Sequence, residues 1–185
     1  VTPSDDGVQS LVDALHEHYG LDFRSYAQGF LRQRLRRMAR VEGLPTVSAL
    51  EERIRRDETT VERFLLDIPV SVTSMFRDPS FYRALRTEVV PLLRTYPEVR
   101  VWVAGCSTGE EAYSTAIVLQ EGGIWDRTRV YATDVNHRLL RDARKGVFPL
   151  VRMQEYSAAY RRSGGEASLS DHYHASREHA VLDPG

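Results

Sequence analysis

A single cysteine, Cys106, in 185 residues leaves no internal disulfide framework and fits a reducing, cytoplasmic setting. Long apolar runs are missing too. None approaches the roughly 20 residues that a bilayer-spanning helix requires, and no signal-peptide pattern is visible, so membrane insertion is not expected. Neither sign of charge dominates, at 25 basic against 26 acidic residues, and this balance gives no reason to expect nucleic acid as a partner. Repeats and low-complexity tracts are absent. So are the G-x-G-x-x-G fingerprint of dinucleotide binding, the G-K-[ST] loop that cradles phosphates, and H-E-x-x-H. What remains is a chain whose 42% hydrophobic content can build the core of one domain or of two small ones.

The residues before 70 read as helices. Leu11, Leu15 and Tyr19 recur at helical spacing, and Gly20 stands where that helix should end. A second helix is predicted over about Ser25–Arg40, with Phe30, Leu31, Leu35 and Met38 as its apolar stripe. Arg32, Arg34, Arg36, Arg37 and Arg40 fill its other faces, either as a solvated surface or as a positive surface for an acidic partner. Gly43 and Pro45 break the chain. Thr46 or Ser48 can start a third helix, and a fourth is predicted over Thr59–Leu66. Four short helices suggest a small helical domain.

The stretch Ile68–Asp78, IPVSVTSMFRD, mixes apolar Val70, Val72 and Met75 with hydroxylic Ser71, Thr73 and Ser74, which suits a segment lying against a pocket. Arg77 offers a rigid fork for a carboxylate, or else an ion pair with Asp78 or Glu88. A helical segment over Pro79–Tyr96 follows. Beyond it the pattern alternates: strand over Val99–Ala104, helix over Glu110–Glu121, strand over Arg129–Thr133, helix over Asn136–Arg144. This is the start of a doubly wound parallel sheet, in which ligands sit beyond the carboxyl ends of the strands. Gly105, Gly109 and Asp134 fall there. The glycines are expected to let a ligand approach the backbone, and Asp134 to accept hydrogen bonds from ribose hydroxyls, while Ser107 and Thr108 could be helix caps.

Glu110 and Glu111 open the helix after the glycine turn. They complement the positive end of its dipole but would repel a pyrophosphate placed there. A nucleoside with a cationic group fits better, and S-adenosylmethionine has that character. Cys106, Trp102 and Tyr113 are expected as packed core residues, and His16 and His18 as helix surface. His172 and His174 fall in a polar stretch, Gln154–Gly185, that reads as a mobile surface segment rather than a metal site.

Three blocks in order, SVTSMFRDPSFY, VRVWVAGCSTGEEAYS, and VYATDVN with ARKGVF, resemble the CheR family of chemotaxis receptor methyltransferases. The resemblance implies an α/β protein with a small helical domain over 1–69 and the first part of a Rossmann-like, S-adenosylmethionine-dependent methyltransferase domain over 70–185. It implies O-methylation of glutamate side chains on chemoreceptor-type proteins, with the product S-adenosylhomocysteine. Thr73, Arg77, Ala104, Glu111 and Asp134 are then expected around the cofactor, together with Ser71, which stands where many relatives have asparagine. Met75 stands where an aromatic residue is common. Arg77 is the expected catalytic residue, orienting the reacting groups, and the arginine-rich helix over 25–40 is the expected contact for the receptor.

The family's later strands, an asparagine and a tyrosine near the cofactor, and its small β-subdomain have no expected counterpart here. The chain thus reads as truncated at its carboxyl end. Two functions stay open on this reading: the methyltransferase, completed by sequence beyond Gly185, and a non-catalytic cofactor-binding or protein-interaction module.

Overall fold

The computed structural model describes residues 6–67 and 73–182, in two compact units, Val1–Val70 and Ser71–Gly185. In the first, α1 (Asp6–Tyr19), α2 (Gln28–Val41), α3 (Val47–Arg56) and α4 (Glu58–Asp67) surround a core that includes Leu11, Leu15, Leu35, Leu50, Ile54 and Phe64. The apolar stripe of α2 is the buried one: Leu31, Leu35 and Met38 face inward, while Arg36, Arg37 and Arg40 are exposed. The helix starts three residues later than its periodicity suggests, because Tyr26 closes a turn onto the Phe23 carbonyl and its ring stacks on Phe30. Thr46 is the cap of α3, accepting from the Ala49 amide at 3.1 Å. Replacing it by alanine is expected to cost about 1 kcal/mol of stability, read by urea unfolding; no shift in the midpoint would contradict the cap assignment.

The second unit begins with a helical stretch that is not one helix. It consists of α5 (Pro79–Ala84), a π-helical turn (Leu85–Val89) and α6 (Val90–Leu93). The wide turn ends two residues before Pro91, whose ring cannot sit against the carbonyl four residues back, that of Thr87 within the turn. Next come β1 (Val99–Ala104), α7 (Glu110–Glu121), β2 (Thr128–Thr133) and α8 (His137–Ala143). The two strands are parallel, with Val99 opposite Thr128 and Ala104 opposite Thr133, and α7 is the crossover. Asn136 caps α8 through its side chain, which accepts from Arg138 and Leu139 amides.

One face of this two-stranded sheet packs on the core through Val101, Val103 and Val130. The other does not. Trp102, expected in the core, is 72% exposed and lies opposite Tyr131, itself exposed, with its indole N–H donating to Thr133 Oγ1 at 2.9 Å. The strict alternation of a strand decides this: the odd positions of β1 are turned to the α7 side, so Trp102 must face away from it. Tyr113, on α7, is buried as expected.

The carboxyl-terminal stretch departs most from expectation. Residues 147–182 form β3 (Val147–Pro149), α9 (Met153–Arg162), β4 (Tyr173–Ser176) and β5 (His179–Leu182), with strands in the order β3-β5-β4, all antiparallel. An antiparallel three-stranded sheet therefore stands where no β-subdomain was expected. Met153, Tyr156, Ala159 and Tyr160 recur at helical spacing and are buried, so α9 is anchored by its tyrosines and not mobile surface. His172 is held too, against Glu121 at 3.3 Å. No helix among the described residues is long and apolar enough to cross a membrane.

Candidate functional site

Where β1 ends, the backbone turns sharply and is tied to the end of β2. The amides of Gly105 and Cys106 both donate to the Thr133 carbonyl, at 2.8 and 2.9 Å. Asp134 then clamps the loop from the other side: Oδ2 accepts from the Ser107 amide at 2.8 Å and Oδ1 from the Asn136 amide at 2.7 Å. Gly105, Ser107 and Gly109 all have left-handed backbones. For Ser107, φ is +51°, a conformation that non-glycine residues adopt only where surroundings enforce it. Its hydroxyl is buried with no hydrogen-bond partner among the described residues.

The two glycines of the turn differ in purpose. A Cβ at Gly105 would meet nothing within 4 Å, so the backbone there borders open space that a ligand can occupy. A Cβ at Gly109 would lie 3.1 Å from Ala143 and 3.3 Å from Tyr113, so that glycine allows close helix packing rather than the ligand approach expected of it. Gly109 is also the N-cap of α7, and no side chain caps the helix; the Thr108 hydroxyl donates instead to Glu110 Oε2 at 2.6 Å.

Adjacent glutamates at the start of α7 point to opposite environments. Glu110 is buried, and its Oε1 accepts from the Tyr156 hydroxyl at 3.3 Å and lies 3.8 Å from Arg152 Nη1. Glu111 is exposed, one helical step around. In the sequence both glutamates have a part at the helix dipole and only Glu111 is assigned to the cofactor; the buried contacts of Glu110 are additional. Cys106 is buried as expected, and burial, with Asp134 and Glu111 nearby, pushes its thiol up from the usual range.

The segment before α5 reaches the same region. Met75 and Phe76 are fully buried, and the Phe76 amide donates to Ser114 Oγ on α7 at 2.9 Å, while that hydroxyl donates to the Glu110 carbonyl at 2.6 Å. Thr73 is half-buried, with its carbonyl accepting from Arg152 Nη2 at 3.3 Å. Arg77 is exposed and stands between Phe76 and Asp78, both left-handed, at φ +53° and +55°. Tyr82, under this segment, has its hydroxyl pushed up to about 12 by burial and by the charge of Glu111. Ser71 lies outside the described residues. Ala104, exposed at the end of β1, and Asp134 flank the glycine turn, and Glu111 follows it at the start of α7.

The donor set fits a cationic nucleoside cofactor. Open space beside Gly105, an unpartnered Ser107 hydroxyl and the carboxylates of Asp134 and Glu111 are complementary to hydroxyl and ammonium groups. A phosphate chain would meet those carboxylates instead.

A parallel β-α-β unit with this loop and a carboxylate at the end of β2 defines a Rossmann-like nucleoside-binding domain following a helical unit. Residues 71–180 match the CheR methyltransferase SAM binding domain, and residues 6–68 match the CheR methyltransferase all-alpha domain. The chain belongs to the CheR methyltransferase family, and S-adenosylmethionine is the cofactor of its second domain. It is 41% identical over 180 residues to the "putative methyltransferase Cher3" of Pseudomonas putida, covering 97% of this chain and 66% of that protein. The chemotaxis protein methyltransferase of Salmonella typhimurium is 27% identical over 158 residues, covering 83% of this chain and 54% of that protein. That of Borreliella burgdorferi is 24% identical over 156 residues, covering 78% and 55%. Of these relatives the chain thus spans between about half and two thirds.

Proposed function

We propose that this chain carries the cofactor-binding core of an S-adenosylmethionine-dependent methyltransferase acting on glutamate side chains of chemoreceptor-type proteins in the cytoplasm. The observation that carries this reading is the Gly105–Gly109 loop held onto Asp134 at the start of α7, in a chain of the CheR family. The three relatives named above are all described as methyltransferases, which weighs against a purely non-catalytic module.

In this reading Ser71, Thr73, Arg77, Ala104, Glu111 and Asp134 line the cofactor. The cofactor supplies a methyl group on a positively charged sulfur. A glutamate side chain, with an ordinary pKa near 4.3, is already an anionic nucleophile at neutral pH, so no general base is needed. Alignment supplies the catalysis. Exposed Arg77, fixed between two left-handed residues, is suited to hold the incoming carboxylate through its fork. The exposed arginines of α2, Arg36, Arg37 and Arg40, would meet the acidic surface of the receptor.

The test uses methyl-labelled S-adenosylmethionine and a peptide from a receptor methylation region. Transfer by this chain is expected to be weak, and label that reaches the peptide should be released as methanol at alkaline pH, as a glutamyl methyl ester requires. Label that survives alkali would overturn the carboxylate substrate, and absence of transfer would overturn the activity of this chain.

A further inference from the structure

We propose that Arg152 is a positioning residue for the cofactor site, acting through the segment 73–76 that leads into Arg77. The proposal rests on the reading of Thr73 and Arg77 as cofactor neighbours, and it extends that reading to a residue 79 positions away from Thr73.

Arg152 ends a short 3₁₀ turn, Leu150–Arg152, between β3 and α9. Its guanidinium does three things at once. Nη2 donates to the Thr73 carbonyl at 3.3 Å, Nη1 lies 3.8 Å from the buried Glu110 carboxylate, and the group sits 4.9 Å above the centre of the Tyr156 ring. Glu110 is itself part of the path, because its carbonyl receives the Ser114 hydroxyl, which receives the Phe76 amide. The result is a closed circuit from Thr73 through Arg152, Glu110 and Ser114 to Phe76. Both ends of a four-residue segment are thereby fixed.

That segment has no regular secondary structure: the Ser74 carbonyl accepts from the Arg77 amide at 3.3 Å, while the Thr73 carbonyl and the Phe76 amide at its two ends take their partners from side chains. Phe76 also holds a left-handed backbone, which persists only if its surroundings enforce it. Glu110 needs Arg152 in turn. Its carboxylate is buried, and a buried anion is costly unless compensated. A planar fork can serve Thr73 and Glu110 together, whereas a lysine ammonium is a single point on a flexible stem. Arg152 is therefore placed to set where Thr73 and Arg77 stand without touching the cofactor.

The test compares Arg152→Ala, Arg152→Lys and Tyr156→Phe with the parent chain, reading S-adenosylhomocysteine affinity by calorimetry and amide hydrogen exchange along the chain. For Arg152→Ala, affinity should fall about tenfold, or about 1.4 kcal/mol, with faster exchange at residues 73–78 and unchanged exchange in β1 and α7. Saturating ligand should narrow the difference at 73–78. Tyr156→Phe keeps the ring under the Arg152 guanidinium and loses one hydrogen bond to Glu110, so it should weaken binding less than Arg152→Ala does. Arg152→Lys keeps the charge and gives the reading if the alanine variant does not fold; it should weaken binding several-fold.

Unchanged affinity in both Arg152 variants overturns the proposal. So does faster exchange throughout the unit, which marks a residue that merely supports the fold. A parent chain that binds no S-adenosylhomocysteine overturns the cofactor reading itself, and the positioning role falls with it; the parent titration separates that failure from the others.

Discussion

Replacing Asp134 by alanine is expected to weaken S-adenosylhomocysteine binding by a hundredfold or more, beyond the range of a calorimetric titration. The carboxylate accepts from two backbone amides, at Ser107 and Asn136, and both bonds are charge-assisted. Each such bond contributes about 1.5 kcal/mol or more, so losing both removes about 3 kcal/mol from the loop conformation that accepts the ligand. A factor of about a hundred in affinity follows, because each 1.4 kcal/mol is tenfold. The left-handed Ser107 makes the loop especially dependent on this clamp, since without it that backbone has every reason to relax. Asp134→Asn should fall between the two, because an amide oxygen can keep one acceptor bond while the amide nitrogen cannot accept the other. Circular dichroism should show both variants folded. Parent-like heats from Asp134→Ala would mean that the loop is held by something else, such as the amides of Gly105 and Cys106 on the Thr133 carbonyl.

How much of this was legible in the sequence depended on the range of each interaction. The strands and helix around the glycine turn carry local signals: a β-branched run, glycine punctuation and acidic residues at a helix start. Accordingly Glu110–Glu121 is the helix at both predicted ends, and β2 begins one residue earlier than predicted, at Thr128. The carboxyl-terminal elements carry weak local signals. β4 and β5 have four residues each and β3 three, too few for alternation to register, and α9 hides its buried tyrosines among Gln154, Glu155, Arg161 and Arg162. Trp102 was misread for a different reason. A strand of a parallel sheet is normally covered on both faces, and nothing local tells which face packs. Ionic contacts across long sequence separations leave no local trace either. Glu110 and Glu111 carry the same local signal at the helix start, and only Tyr156 and Arg152, far away in sequence, set Glu110 apart; nothing near Arg152 in sequence connects it to Thr73.

The other large effect is expected at Glu121, at the opposite end of α7 from the glycine turn. A carboxylate in the last turn of a helix is disfavoured by the helix dipole, so its partners must come from elsewhere in the fold. They do. Glu121 accepts from Arg86 on the π-helical turn, from the Tyr160 hydroxyl on α9 and from His172 before β4. Arg86 in turn stacks 5.5 Å from the centre of the Tyr160 ring, and its Nε and Nη2 have no hydrogen-bond partner among the described residues. Glu121→Ala therefore strands a guanidinium whose side chain is only 14% exposed. Breaking a buried pair from one side costs about 3–5 kcal/mol, and partial exposure of the carboxylate brings the expected loss to about 2–3 kcal/mol. The sign of the pH dependence follows from the same contacts. Burial works against ionisation of Glu121, but hydrogen bonds from His172, Tyr160 and Arg86 outweigh it and hold the carboxyl down at about 2, against 4.5 for the free group. A depressed carboxylate stabilises the fold fully above its unfolded value and loses that contribution as pH falls from about 4.5 towards about 2. Urea unfolding of the parent and of Glu121→Ala should consequently differ most above pH 5 and converge as the solution is acidified. Glu121→Gln, which can still accept one hydrogen bond, should lie between them at neutral pH. Parallel stability curves across that range would show that the carboxylate is not what joins α7 to α9 and to the turn before β4.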